Sequence, residues 1–150
     1  MYYIIDKPAL YGRIYEEVSY VADDAYAEGG GSLYDSVILT EKDKPKVNRL
    51  IDDAVSAFVR RAFDICKYAP LVQNNVITPR LVFHVPDFDT TMQGAALEEV
   101  SNFIALYSAT QLFQERRPSV VPQYTDKVQA AMDKAITLLK SRKAPNEQWS

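Results

Sequence analysis

The chain has very few of the residues from which metal centres and disulfide frameworks are built, since its 150 residues include one cysteine and one histidine. One cysteine excludes an internal disulfide and a multi-cysteine metal site, and one histidine excludes a cluster of histidine ligands. The sequence also lacks a run of the roughly 20 apolar residues that span a bilayer, and its first residues lack the pattern of a secretory signal. We therefore expect a soluble protein that is made in the cytoplasm and contacts no membrane.

A strong excess of either charge is missing as well. Seventeen Lys and Arg residues are balanced against twenty Asp and Glu residues, for a net charge of −3, and 47% of the chain is hydrophobic. This composition is typical of a globular protein, and the length suits one hydrophobic core. We interpret residues 1–150 as a single domain, and the lack of basic excess disfavours a protein that coats nucleic acid.

Apolar residues recur at helical spacing in four segments, which predicts a mainly α fold that resembles a four-helix bundle. Thr40 and Asp43 have the spacing of a capping pair for the second helix, and Asp89 or Thr90 is placed to cap the third. The helices are expected at about 8–27, 44–68, 91–115 and 122–142.

Two regions without the helical pattern, 29–40 and 70–88, are expected to be extended or β arms. Three consecutive glycines at 29–31 favour an end to the first helix there, because glycine readily adopts left-handed backbone. Residues 144–150 are expected to be a flexible tail.

A small β hairpin or extended arm is expected between the second and third predicted helices. Leu81, Phe83 and Val85 alternate with residues that would lie on the opposite face, so one side of this strand would lie on the helices. Because an isolated two-stranded ribbon is marginal in water, a further strand is needed. It would come either from residues 37–40 or from a neighbouring subunit, in which case the segment is an assembly element.

No set of residues indicates catalysis, so we expect no enzyme, no cofactor and no metal. Cys66 is interpreted as a small buried residue and His84 as a strand residue with a structural role. The two could in principle form a nucleophile pair, but no flanking signature supports it. Asp87 and Asp89 suit a turn and a helix cap better than a calcium loop.

Charge is unevenly distributed along the chain. Residues 1–44 carry nine acidic and four basic side chains, whereas residues 114–143 carry seven basic and three acidic side chains. Chance asymmetry on solvated helices is one interpretation. The other is head-to-tail association, in which the acidic end of one subunit contacts the basic end of the next.

Several features occur in a characteristic order. A tyrosine-rich first helix is followed by a glycine break, and a strand leads into Val-Pro-Asp-Phe-Asp at 85–89. The third helix contains Phe-Ile-Ala-Leu-Tyr at 103–107, and the fourth ends with Leu-Leu-Lys-x-Arg-Lys-x-Pro at 138–145. In this order the chain resembles, over most of its length, the small helical head–tail connector or adaptor proteins of tailed bacteriophages and prophages.

The resemblance implies a structural virion protein without a catalytic site. Members of that family form a homo-oligomeric ring, commonly a dodecamer, at the head–tail junction, between the portal protein and the next tail component. DNA would meet such a ring only by passing through its lumen. The residues that we expect at contacts with neighbouring subunits or partners lie in the arms, the basic C-terminal region and the tail: Tyr34, Val37, Leu39, Leu81, Phe83, Val85, Phe88, Arg116, Arg117, Lys140, Arg142, Lys143 and Trp149.

Other functions remain open on the sequence alone. The first alternative is a non-catalytic helical module of mobile-element or bacterial origin that binds a protein partner. A small enzyme that uses Cys66 or His84 is a second alternative. A protein that binds DNA through the basic residues of 116–143 is a third.

Overall fold

The computed structural model of the chain describes residues 1–143, so the expected tail at 144–150 and Trp149 lie outside the described residues. The fold is mainly α, as the sequence predicts, with four long helices, one short helix and a small antiparallel sheet. The elements in chain order are β1 (Tyr2–Ile4), α1 (Lys7–Gly29), α2 (Gly31–Val37), α3 (Lys44–Arg61), β2 (Cys66–Tyr68), β3 (Leu71–Gln73), β4 (Val76–Thr78), β5 (Arg80–Phe83), α4 (Gln93–Arg116) and α5 (Val121–Leu139).

Helix α4 lies at the centre of the bundle and contacts α1, α2, α3 and α5. Its buried residues point in almost every direction around the helix axis, which is typical of a helix enclosed by others. Two buried hydroxyl groups on α4 are satisfied within the helix, because Ser108 donates to the carbonyl of Ile104 at 2.8 Å and Thr110 donates to that of Leu106 at 2.7 Å.

The other long helices bury one face each, and the predicted faces are confirmed. The buried residues of α1 are the six that recur at helical spacing in the sequence, from Leu10 to Ala25. Phe58 of α3 packs against Phe103 of α4, with ring centroids 5.7 Å apart, and against Phe83 of β5 at 6.5 Å. Phe113 of α4 contacts Tyr124 of α5 at 4.8 Å. These aromatic contacts join three helices and the sheet into one core.

Capping residues define the helix starts. The carboxylate of Asp6 accepts from the N–H of Ala9 at the start of α1. The backbone N–H of Thr40 donates to Asp43 at 2.8 Å in the turn before α3, which confirms the predicted capping pair. Asp89 accepts from the N–H of Thr91 at 3.0 Å in the turn before α4, as expected.

The second predicted helix ends earlier than its apolar pattern suggests. Helix α3 stops at Arg61 rather than near 68, and residues 66–68 form strand β2. Ala62 and Ile65 are buried at helical spacing, but a turn at 62–65 reverses the chain and lets Cys66 pair with Phe83. Tertiary pairing with β5 therefore overrides the local helical pattern.

The expectation of an extended arm at 29–40 is wrong. Gly30 alone breaks the helix, with φ at +76°, and residues 31–37 form the short helix α2. Val37 and Leu39 are buried against the bundle, and the ring of Tyr34 packs edge to face on that of Tyr26 at 6.3 Å. Helix formation buries these apolar groups, which an extended segment would leave in water.

The third strand of the sheet is β1, at the start of the same chain, and not residues 37–40. The order is β1-β5-β2, all antiparallel. On β1, Tyr3 is buried and its hydroxyl lies 2.8 Å from that of Ser101, whereas Tyr2 and Ile4 are exposed. The N-terminal residues and the segment after α3 therefore support β5 on both edges.

Strands β3 and β4 continue the hairpin formed by β2 and β5 without a change of register. Tyr68 is opposite Leu81 and, three residues further along each strand, Leu71 is opposite Thr78. This register places Pro70 opposite Pro79, between the part of the hairpin that is in the sheet and the part that projects beyond it. Asn74 and Asn75 close the hairpin, both with positive φ, as a two-residue turn of the primed type requires.

We predict that truncation of Leu81 destabilises the fold, whereas truncation of Ile77, on the same side of this hairpin, has little effect. Leu81→Ala should destabilise the fold by about 2–5 kcal/mol, because the Leu81 side chain is fully buried. Ile77→Ala should change the free energy of unfolding by less than about 0.5 kcal/mol, because Ile77 is 66% exposed. Urea unfolding followed by far-UV circular dichroism measures both, and equal losses would contradict the assignment of Ile77 to a projecting segment.

Candidate interaction surface

Four of the residues expected at subunit contacts belong to the core instead. Val37, Leu39, Leu81 and Phe83 are at most 4% exposed. The prediction that they contact a partner is therefore wrong for this fold, because folding of the single chain already removes them from water. A charge introduced at any of them would disrupt the fold before it could disrupt a contact with another molecule.

Two of the expected basic contacts, at the end of α4, form ion pairs within the chain. The guanidinium of Arg116 donates to the carboxylate of Asp43 at 2.7 Å and to the carbonyls of Val37 and Ile38. These hydrogen bonds connect the end of α2 to α4. Arg117 pairs with Glu28 of α1. These pairs neutralise part of the charge asymmetry between the two ends of the sequence inside one molecule.

Five further expected contacts lie close together near the end of α5. The N–H of Asp89 donates to the carbonyl of Ser141, and the N–H of Lys143 donates to that of Asp87, both at 3.0 Å. Phe88 forms a β bridge with Arg142. The Pro-Asp-Phe-Asp turn and the basic end of α5, the two motifs that most suggest the connector family, therefore contact each other.

Val85 and Lys140 line a small cavity of about 220 Å³ beside this contact. Lys140 also pairs with Asp64 at 3.0 Å, on the turn after α3. The structure thus brings Val85, Phe88, Lys140, Arg142 and Lys143 to one end of the molecule, while Tyr34 lies elsewhere, half-buried against α1.

Cys66 and His84 do not form a nucleophile pair. The Cys66 side chain points into the core opposite Phe83, and burial raises the pKa of its thiol to about 12. His84 follows strand β5 and its side chain is exposed, while its backbone N–H donates to the carbonyl of Ile65 at 2.8 Å. At neutral pH the thiol is protonated and faces away from the imidazole.

A larger apolar surface lies on the projecting part of the hairpin, residues 71–78, which we call the arm. Its exposed apolar residues are Leu71, Val72, Val76 and Ile77, with the last three more than 60% exposed. These residues lie within the predicted arm at 70–88, but the contacts predicted in it lie further along the chain, at 81–88. A signal was present, since residues 71–78 contain no charged side chain.

Beneath the arm runs a groove of about 670 Å³, which we call the arm groove. Val55 and Val59 of α3 line it together with Ile77 of the arm. Its lining also includes the charged side chains of Lys7 and Asp52, which form an ion pair, and of Arg60. Alternation along the hairpin places Ile77 on the same face as Leu81, which packs on the core. The apolar side of the groove therefore continues the apolar surface of the core toward the tip of the hairpin.

Phe63 is the most exposed large apolar side chain of the described residues, at 79%. It lies on the turn after α3, between the buried Ala62 and Ile65. Phe63 is not among the predicted contacts, because the turn lies within the helix predicted at 44–68, in which residue 63 lies off the apolar stripe.

We predict that Asp43 makes the stability of the fold sensitive to acid. The hydrogen bond from Arg116 lowers the pKa of Asp43 below its ordinary value, so the unfolded chain takes up this proton first as the pH falls. The stabilisation is present above about pH 4 and is lost as the pH falls through the lower pKa of the folded state. Asp43→Asn should therefore be less stable than the wild type by about 1–2 kcal/mol at neutral pH, and the gap should narrow below pH 4.

Urea unfolding at a series of pH values measures this gap. Asp126→Asn, at an exposed carboxylate of α5, is the control. A gap for Asp43→Asn that stays constant down to about pH 2 would contradict the assignment.

Within residues 1–143, no group of three or more His, Cys, Asp or Glu side chains is arranged to hold a metal ion. None of the helices in that range has the length and apolarity needed to cross a bilayer. No protein-family model, curated protein or solved structure matches the chain.

Proposed function

We propose that the chain is a structural subunit that assembles through its arm, of the kind that forms the connector ring between head and tail of a bacteriophage. In that role it would act without chemistry of its own, in the virion, between the portal protein and the next tail component. The observation that carries the proposal is the arm, an uncharged apolar ribbon that projects from an otherwise well-packed domain.

The arm has the properties of an element that pairs or packs with another molecule. Natural sheets protect exposed edge strands with charged residues, prolines or bulges. Strands β3 and β4 contain none of these, and their register is regular. Four of the eight arm residues are apolar and exposed, and their hydration is unfavourable in free energy. Contact with a second molecule removes this apolar surface from water.

The charges of the described residues favour an apolar contact over an electrostatic one. Arg116, Arg117 and Lys140 are engaged by acidic residues of the same chain, so they add little to a field that would orient head-to-tail association. The arm itself carries no charge. Assembly by this route depends on burial of the arm and of the arm groove.

The arm groove supports a second candidate function. Its volume of about 670 Å³ lies within the range of ligand-sized clefts, and a groove along a helix suits an apolar segment of another protein. This is the function of a non-catalytic interaction module that acts without self-assembly.

We predict that charges on the arm abolish self-association and leave the domain folded. The double variant Val72→Asp with Ile77→Asp places two carboxylates where the arm must be desolvated, whereas in the free chain both positions are about two-thirds exposed. Its thermal unfolding should match that of the wild type within a few degrees. Sedimentation velocity over a range of concentrations should show oligomers for the wild type and monomers for the variant.

Tyr20→Asp, at a residue that is 61% exposed on α1, is the control and should assemble normally. A wild-type chain that stays monomeric at every concentration, or an arm variant that assembles equally well, would refute the proposed function. A monomeric wild type whose arm groove captures an apolar peptide would favour the interaction module.

We also predict that self-association survives high salt. Salt screens attraction between exposed charges but does not weaken burial of apolar surface. The association constant should therefore remain constant or rise between low and high ionic strength, as measured by sedimentation equilibrium. Dissociation at high salt would indicate the electrostatic head-to-tail contact instead.

A further inference from the structure

The side of the arm groove that α3 provides carries apolar and polar side chains in one row. These residues are Asp52, Val55, Ser56, Val59 and Arg60. Their spacing of three and four residues places them on one face of the helix. From Asp52 to Arg60 this face is about 12 Å long at the helical rise. A ligand in the groove therefore meets two valines and, at one end of the row, an arginine.

The charges that line the groove do not cancel. Lys7 lies 3.0 Å from the carboxylate of Asp52, so these two charges neutralise each other. Arg60, by contrast, forms no ion pair with any described residue. The next arginine along the chain is different, because Arg61 pairs with Asp133. One positive charge of the groove is thus without a partner among the described residues, which favours a ligand with one negative charge.

The dimensions of the groove suit a small molecule. Its volume of about 670 Å³ lies within the range of sites that bind small ligands. A stable protein–protein interface buries about 800 Å² on each partner, and a face of about two helical turns offers only part of that area. A small ligand in the groove also leaves Leu71 and Val76, on the other face of the arm, open to contacts with another molecule.

The polar groups at the Arg60 end of the row fit a carboxylate. A guanidinium binds a carboxylate through two parallel hydrogen bonds, and Arg60 is exposed. Ser56 lies one turn before Arg60 on the same face of α3, so its hydroxyl is a further donor for the same group. A phosphate monoester fits less well, because it carries more than one negative charge at neutral pH and one arginine does not balance it.

We propose that the arm groove binds a small apolar monocarboxylate, the chemical class that includes medium-chain fatty acids. The carboxylate bonds Arg60 and Ser56, and the hydrocarbon chain lies between Val59 of α3 and Ile77 of the arm. Burial of the chain supplies affinity, and the arginine supplies selectivity for the acid. The site lies within one copy of the chain, so the proposal does not depend on self-assembly.

Three ligands with the same hydrocarbon chain and different head groups test the proposal: octanoate, octanol and octyltrimethylammonium. Isothermal titration calorimetry gives each dissociation constant for the full chain, below the concentrations at which the ligands form micelles and the chain self-associates. Octanoate should bind at least about tenfold more tightly than octanol, because it adds charge-assisted hydrogen bonds, and the ammonium should bind more weakly than either. Equal affinity for all three ligands, or no binding of octanoate, would overturn the proposal.

Arg60→Gln separates recognition of the head group from burial of the hydrocarbon chain. This variant should bind octanoate at least about tenfold more weakly than the wild type does and bind octanol equally well. Arg61→Gln, at the adjacent arginine that lies outside the groove, is the matched control and should bind octanoate as the wild type does. Equal losses in the two variants would indicate a general electrostatic effect and contradict the role of Arg60.

Ser56→Trp tests whether the groove is the binding site. Ser56 is exposed, so the variant should fold, which thermal unfolding checks, and its indole ring takes up space in the groove. Both octanoate and octanol should then bind at least about tenfold more weakly, whereas Asp53→Trp, at an exposed position outside the groove, should leave both affinities unchanged. Wild-type affinity in Ser56→Trp would place the ligand elsewhere and refute the proposal. Binding of an uncharged apolar peptide without binding of octanoate would also refute it and would favour the interaction module.

Discussion

The burial of α4 on nearly all sides is the constraint on which the rest of the structure depends. No residue of α4 from Val100 to Phe113 is exposed, because α1, α3 and α5 enclose this part of the helix while α2 covers one end. The short helix exists for this reason, because Val37 and Leu39 gain a buried environment only if the chain folds back after Gly30. Arg116 then fixes that end by bonding two carbonyls and a carboxylate, so α2 cannot serve as a free arm.

The hairpin at 66–83 has two parts with opposite environments. Up to Pro70 and Pro79 it is flanked by β1 or packed on Phe58, and beyond them it projects by about 13 Å at the rise of an extended strand. Pro70 and Pro79 lie at positions where a backbone N–H would point away from the partner strand of the hairpin. Their lack of an N–H therefore costs the hairpin no hydrogen bond. The carbonyl of Pro79 accepts a hydrogen bond from the backbone N–H of Ile5. The same register thus produces both a core strand and an exposed arm.

The parts of the fold that the sequence predicts are those governed by local periodicity. Long helices with one apolar face satisfy this condition, and the six buried residues of α1 follow from spacing alone. The end of α3 does not, since Ala62 and Ile65 continue the helical spacing while the chain has already turned to pair Cys66 with Phe83. Strand β1 and the residue after it carry a period-two signal in Tyr3 and Ile5, but a strand of three residues is too short to separate from an irregular end. For the candidate site, alternation identifies Leu81 and Phe83 as residues of one apolar face. A face that is buried by its own chain and a face that contacts a partner have the same apolar pattern in the sequence.

That ambiguity explains why the candidate contacts move from the base of the hairpin to its tip. An apolar residue near a predicted strand can be buried by its own chain or by another, and only the position of the surrounding helices decides between them. Helix α3 ends at Arg61, and the chain turns back there into a hairpin whose base buries Leu81 while Ile77 stays exposed. The same early end of α3 creates the turn that exposes Phe63. One local event, the reversal of the chain at 62–65, therefore sets where the hairpin begins and leaves Phe63 in water.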